Sequence, residues 1–381
     1  MGGVGMKKIM MISPSVPDPR MMNRVRALRE HYRVVFYYWD RLNESIEPDM
    51  KGVERTYIRK KGRSRGMRLK TLFGYWGFIF QGISLLNHEQ PHIIHAYRYE
   101  GLMTAIIYRF WFDRSVKIVY EVADLPSAIF PRGKSLWKKV LAKISAMKEK
   151  RWIRKCSLVV FTSQGFYDFY YKKFASALPR VYQECLVAPG VLDGYQKHLR
   201  DFKPLVIGYF GNMRYLNTIK TLLDAVEGEP GLRVELAGFT QDEKKLERLL
   251  KRYKQATYHG IFPSGGLWKY YSMVDVIYCA YDTDDKNALV LMPNKFYEAI
   301  ELGLPLIVSR GTYLAKRTQK EGIGYAVDES DSDELRRLLL SLTEEDFERI
   351  RGASEEAKAK YRVEEHNPRL LAAYREHVDG D

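Results

Sequence analysis

Cysteine is scarce in this chain: Cys156, Cys185 and Cys279 are the three in 381 residues, far apart and each in or beside an apolar segment. That spacing excludes a disulfide scaffold or a thiolate cluster and fits a reducing cytosol. Long apolar runs are missing too. The longest, residues 71–86, is interrupted by Gln81 and Ser84 and falls short of the ~20 residues that span a bilayer, so no membrane crossing is expected. The opening Met1-Gly2-Gly3-Val4-Gly5 leads directly to Lys7 and Lys8, with Met6 where an acylation signal needs Ser or Thr; neither a secretory leader nor myristoylation is expected. A Gly-x-Gly-x-x-Gly turn is absent between the first strand and helix, which disfavours a dinucleotide oxidoreductase. The neighbours of His259 offer no ligand cluster, and no metal and no tightly bound cofactor is expected. Short repeats and low-complexity tracts are also missing.

Positive charge is present in excess, +15 overall, and it gathers in the N-terminal half. One cluster comprises Arg55, Arg59, Lys60, Lys61, Arg63, Arg65, Arg68 and Lys70 and runs into the aromatic stretch 72–80. A second extends from Lys134 through Trp137, Lys138, Lys139, Lys143, Lys148, Lys150, Arg151, Trp152, Arg154 and Lys155, with Val140, Leu141, Ile144 and Met147 spaced for one helix face. Basic amphipathic segments suit an anionic membrane surface. The alternative is that the apolar stripe packs on the core and the lysines form a solvated face. No nucleic-acid module is recognisable, so no nucleic-acid partner is expected.

With 46% hydrophobic residues the chain has ample core for two α/β domains. Residues 8–13 read as a buried strand, Asp18-Pro19 as the cap and start of a helix carrying Met21, Met22, Val25 and Leu28, and residues 33–38 as the next strand. Further strands at 92–96, 116–121 and 158–163 alternate with helical patterns, which predicts a parallel sheet. The polar stretch 193–203 reads as a linker. A second alternating series follows: strands at 205–210, 233–237, 257–259 and 274–278, with helices near 218–226, 242–253 and 267–273. Two doubly wound domains are expected, with ligands at the carboxyl ends of their strands.

The segment 293–309 carries the most chemistry. It reads as a loop, a short helix capped by Asn294 and stopped by Gly303 and Pro305, and a buried strand. Lys295 and Glu298 then lie one turn apart at the helix's positive end. Main-chain N–H groups, the helix dipole and Lys295 favour a diphosphate there, and Glu298 is suited to accept from ribose hydroxyls. Sugar nucleotides carry both groups.

This helix, Glu298-Ala299-Ile300-Glu301-Leu302-Gly303-Leu304-Pro305, resembles one in the GT-B glycosyltransferases of family four, which read roughly Glu-Ala-Met-x-x-Gly-x-Pro before an apolar strand. Segments 208–214, 258–262 and 120–125 match the same layout. The resemblance implies a GT-B fold, two Rossmann-like domains facing an interdomain cleft: residues 1–198 binding acceptor, 199–365 binding donor, and a helix over 366–381 crossing back to the first domain. It implies transfer of a sugar from a nucleotide diphosphate sugar, UDP-linked first, to a saccharide or lipid-linked acceptor with retention of configuration; the basic aromatic segments of the N-terminal half add the expectation of a cytoplasmic protein working peripherally at the cytoplasmic face of a membrane. The nucleotide sugar is a co-substrate. A nucleotide-sugar epimerase of the same fold, or a non-catalytic nucleotide-sugar or polyanion-binding protein, is the alternative.

Carried over by position, the donor site is Gly211, Asn212, Arg214, His259, Gly260, Pro293, Asn294, Lys295 and Glu298. The chain departs from the pattern at several places. Asn212 and Asn217 stand where an Arg and a Lys usually grip the diphosphate, so Arg214 and Lys295 are the expected replacements for that charge. Val290 stands where an earlier glutamate is usual; Pro293-Asn294-Lys295 fits a variation of the motif in which main chain from 291–294 cradles sugar and phosphate. Ala123 replaces a common histidine, leaving Asp124 either to orient the acceptor or to cap a turn. Asp124, Arg214 and Lys295 are the catalytic candidates. Arg20 and His95 are candidates for an acceptor or phosphate, against a solvent-facing role for Arg20 and a structural one for His95.

Overall fold

Seven parallel strands form the first sheet, in the order β3-β2-β1-β4-β5-β6-β7. They are β1 (Lys8–Ser13), β2 (Arg33–Asp40), β3 (Arg55–Lys60), β4 (Ile93–Tyr97), β5 (Lys117–Val122), β6 (Leu158–Phe161) and β7 (Arg180–Tyr182). β1, β2, β4, β5 and β6 are buried almost throughout, as strands covered on both faces must be. This is a computed structural model describing residues 6–40, 50–60, 68–126, 136–186, 190, 192–196, 204–240, 242–262 and 264–380, with backbone only at 68–73 and 136–138. Of the basic clusters, Lys61, Arg63, Arg65 and Lys134, and the side chains of Arg68, Lys70, Trp137 and Lys138, lie outside the described residues. So does the linker stretch 197–203.

Helices α1 (Pro19–Leu28), α2 (Arg68–Glu89), α3 (Arg98–Trp111) and α4 (Leu136–Ile153) join these strands, followed by short α5 (Gln164–Phe166) and α6 (Lys172–Ala175), linked by a π-helical turn at Tyr167–Tyr171. Asp18 caps α1, its Oδ1 accepting from the Met21 N–H at 2.9 Å, with Pro19 at the first helical turn where its missing N–H costs nothing. β3, read in the sequence only as a cluster of cations, is an edge strand with every residue exposed or half-buried. Charged edge strands of this kind discourage pairing with other chains.

The second sheet has six parallel strands in the order β10-β9-β8-β11-β12-β13: β8 (Leu205–Phe210), β9 (Leu232–Ala237), β10 (Ala256–Tyr258), β11 (Val276–Cys279), β12 (Leu306–Ser309) and β13 (Gly324–Val327). Its helices are α7 (Leu216–Val226), α8 (Glu243–Leu250), α9 (Leu267–Tyr271), α10 (Asn294–Leu302), α11 (Tyr313–Glu321), α12 (Ser332–Ser341) and α13 (Glu344–Lys358). Both sheets reverse direction beside their first strand, the doubly wound arrangement.

The chain divides into two compact units, Met1–Val187 with Glu364–Asp381, and Ala188–Val363. The last helix, α14 (Val363–Tyr374), and the π-helical turn Arg375–Asp379 after it pack in the first unit, where Leu370, Tyr374 and Val378 join the core of α1, β1 and β2. No helix among the described residues is long and apolar enough to cross a membrane.

Candidate functional site

In the second unit three strand-end loops lie against one another. The Gly211 N–H donates to Ala237 O at 2.9 Å, the Met213 N–H to Phe239 O at 2.8 Å, and the Gly238 N–H to Gly260 O at 2.8 Å. This stack requires glycine: Gly238 has φ +134°, and a Cβ there would sit 1.9 Å from the Gly211 carbonyl oxygen. Gly211 (φ +115°) and Gly260 (φ +76°) are also in the left-handed half of backbone space, which L side chains seldom enter.

α10 meets this stack with its N-terminus. The helix's N-cap is Pro293 rather than the expected Asn294, which is the first helical residue; no side chain caps the helix. Pro293 has β-region backbone (φ −78°, ψ 157°) and no side-chain acceptor to offer, so first-turn N–H groups stay available. Gly303 closes the helix in the left-handed conformation at φ 64°, as its sequence position predicts.

Lys295 and Glu298 are not a solvated surface pair. Both are buried, at 9% and 8% exposure. The Lys295 ammonium lies 4.9 Å from the centre of the Tyr209 ring, and 3.2 Å from where a Cβ on Gly211 would stand; the ring face stabilises the cation and the bare glycine leaves it room. The Tyr271 hydroxyl donates to Glu298 Oε2 at 2.5 Å. Burial, then the Glu298 carboxylate, pushes the Tyr271 phenol well above its usual range, so it remains a donor. Asn294 Oδ1 is buried with no hydrogen-bond partner.

The other donor-side candidates are less enclosed. Asn212 and Arg214 are exposed; Asn212 O accepts from the Tyr209 hydroxyl at 2.9 Å and the Arg214 guanidinium stands 6.0 Å from the Tyr215 ring. His259 Nε2 is 2.6 Å from Glu235 Oε2. Val290 is a buried apolar residue at 6% exposure. Asn217 Nδ2 donates to Asp282 Oδ2 at 2.9 Å, and both line a cavity of about 580 Å³ with Asp284, Asp328 and Glu329, where Arg310 is the cation. Those carboxylates repel an anion, which leaves the Gly211–Lys295 side as the favourable place for a diphosphate.

In the first unit, Asp124 follows β5 and its Oδ2 is 2.8 Å from Arg98 Nη2, both side chains about a third exposed. Arg98 takes φ +61°, a costly conformation for a residue with a Cβ. Tyr97 donates to Asp18 Oδ2 at 2.6 Å, and Arg20 is half-buried in the first turn of α1. His95 is not available to an acceptor: it is fully buried, with Nε2 2.9 Å from Glu121 Oε2 and Nδ1 2.5 Å from the Tyr374 hydroxyl. Glu121 also receives both Nε and Nη2 of Arg24 at 3.2 Å. Burial alone would raise the Glu121 carboxyl, but Arg24 and His95 hold it down to about 2.

Residues 195–360 match the family model described as Glycosyl transferases group 1. The match lies within the second unit, Ala188–Val363. The first strand of the match, its glycine turn and α10 are the elements that build the site. The whole chain has the fold of solved GT-B glycosyltransferases, among them sucrose-phosphate synthase from Thermosynechococcus elongatus (16% identity, TM-score 0.77, covering 98% of this chain and 100% of that one). Similar too are HepE of Anabaena in complex with UDP and glucose (14%, TM-score 0.71, 97% and 100%) and α,α-trehalose 6-phosphate synthase from Burkholderia multivorans (13%, TM-score 0.68, 97% and 97%). A comparison with curated protein sequences gave no match.

Tyr209, Tyr271 and Gly238 complete this candidate site beyond the residues expected from the sequence. Each acts through a neighbour distant in the chain, and only Gly238, following a buried strand, carried a trace of its role.

Proposed function

We propose that this glycosyltransferase uses a nucleoside diphosphate sugar, UDP-linked first, and transfers the sugar with retention to a saccharide or lipid-linked acceptor, working as a peripheral protein at the cytoplasmic face of a membrane. The observation that carries the donor reading is the buried Lys295 ammonium beside the Gly211 turn, one helical turn from Glu298. In the proposed reaction the bond from the anomeric carbon to the diphosphate oxygen breaks as the bond to the acceptor oxygen forms, and the acceptor's proton leaves with the diphosphate. Lys295 and the N–H groups of α10 stabilise the growing charge, Glu298 accepts from the ribose, and the exposed Arg214 adds a second cation. Asp124, already paired with Arg98, is better suited to orient an acceptor than to take a proton.

The test is a thermal-shift series with UDP, GDP, ADP and their sugar conjugates on the wild type, Glu298→Ala and Lys295→Ala. Stabilisation of about 2.7 kcal/mol is expected at 100 times Kd, selective for one nucleotide and lost in both variants. A wild-type response in both variants would remove the site. Turnover of donor without acceptor would indicate an epimerase, and binding without turnover across an acceptor panel a binding protein.

A further inference from the structure

We infer that the outer face of α4 is a docking surface for anionic lipid. The inference deepens the proposed work at a membrane and rests on that reading, but it stands on different residues from the donor site. A helix of a globular domain turns its apolar side to the core. α4 does the reverse over its described length. Val140, Leu141, Ile144 and Met147 are exposed by 43%, 59%, 40% and 64%, so the stripe legible in the sequence is not the packing side. Ile153 and Glu149 are the residues that point inward, both fully buried. At 100° per residue the exposed aliphatic groups run along the outward face, with Lys139, Lys143 and Lys150 along one flank and the exposed Lys148 and Arg151 falling within the stripe. This is the pattern of a helix that lies in a membrane interface, with aliphatic groups in the acyl boundary and lysines at headgroup level.

The charge of the face is of one sign. Glu149 is the one carboxylate in the α4 sequence, and it is withdrawn into the interior, where its Oε1 accepts from the hydroxyls of Tyr120 at 2.9 Å and Tyr171 at 2.7 Å. No acidic side chain of α4 offsets the lysines, so charge complementarity selects an anionic surface. Aliphatic groups insert among acyl chains but give bases nothing to stack on, which favours lipid over nucleic acid. A second apolar exposure adjoins: Phe110, Trp111 and Phe112 at the end of α3 are 55%, 73% and 56% exposed, and Arg109 Nη1, donating to Lys155 O at 2.5 Å, ties the end of α3 to the residues that follow α4. Aromatic rings belong at the membrane–water boundary.

The experiment is co-sedimentation of the full chain with vesicles of phosphatidylcholine, with and without phosphatidylglycerol. Binding is expected only with phosphatidylglycerol, and it should fall as salt rises. The variant Lys139→Glu/Lys143→Glu/Lys150→Glu should bind at least roughly 100-fold more weakly, since each lysine near an anionic surface contributes about five-fold. Leu141→Ser/Met147→Ser should also weaken binding while keeping the salt dependence. Wild-type protein left in the supernatant, either variant binding like wild type, or equal binding to polyuridine and vesicles would overturn the proposal. A cooperative thermal melt of every sample reports folding, and the UDP response separates the two readings: vesicle binding by folded protein without a UDP response leaves docking standing and removes the donor site, and the converse removes docking alone.

Discussion

Gly238 shows how much of the proposed donor site rests on the absence of a side chain. Its Cα faces the Gly211 carbonyl so closely that a methyl group would stand 1.9 Å from that oxygen, and Gly211 in turn leaves room for the Lys295 ammonium. Gly238→Ala is therefore expected to push the Gly211 turn away from α10, costing about 1–3 kcal/mol of stability as an overpacked contact and weakening the UDP-induced shift. An unchanged melting temperature together with an unchanged shift would show that the loop stack does not hold the site. At this scale the sequence was half readable. Lys295 and Glu298 could be found because they stand one turn apart between a turn and a glycine stop, a purely local pattern. Tyr271 and Tyr209 could not, because a tyrosine in an apolar segment looks the same whether its hydroxyl meets a carboxylate or a carbonyl. Arg24 and Glu121 were equally hidden: each is an isolated charge in an otherwise apolar pattern, and their pairing exists only once α1 covers β5.

Elements with their own start and stop signals were the most legible. α1 has Asp18 and Pro19, α10 has Gly303, and the buried strands of both sheets are runs too apolar for anything else. β3 was missed because the edge of a sheet has no need of a continuous apolar run, and its cations looked like surface charge. The N-terminus of α10 shifted by one residue because Pro293 supplies the extended backbone of a cap without a capping side chain. The cap of α1 gives a test at the same scale. Asp18 serves two donors, the Met21 N–H and the Tyr97 hydroxyl, so Asp18→Ala should lower stability by about 1 kcal/mol for the cap, with a further loss from the stranded phenol. Chemical denaturation measures this; a variant as stable as wild type would mean that neither bond contributes. The UDP response, which belongs to the other unit, should be unchanged.

For the molecule as a whole, two buried glutamates set opposite limits on the pH range of the first unit. Glu121 is held down to about 2 against an ordinary 4.5, so its contribution is present above 4.5 and is lost as pH falls through 2. Glu149 is pushed up to about 7 by burial, despite the tyrosine hydroxyls around it. It is protonated in the fold where the unfolded chain would ionise it, so its contribution is complete below 4.5 and is lost as pH rises through 7, about 3 kcal/mol in all. Glu149→Gln should melt like wild type near pH 5 and at a higher temperature near pH 8. Parallel profiles for the two proteins would show that Glu149 is not buried neutral. These limits were not legible in the sequence, where Glu149 is one acid among lysines.

The return of α14 to the first unit also orders events during synthesis. The strands β1 to β7 leave the ribosome first, yet Tyr374, which closes over His95, and Leu370, which fills the core beside α1, are translated after all of Ala188–Val363. The second unit is one continuous stretch and has everything it needs as soon as it emerges. The first unit must keep the charges of Arg24 and Glu121 incompletely covered for that whole interval, so the half of the protein that begins first is the half that finishes last.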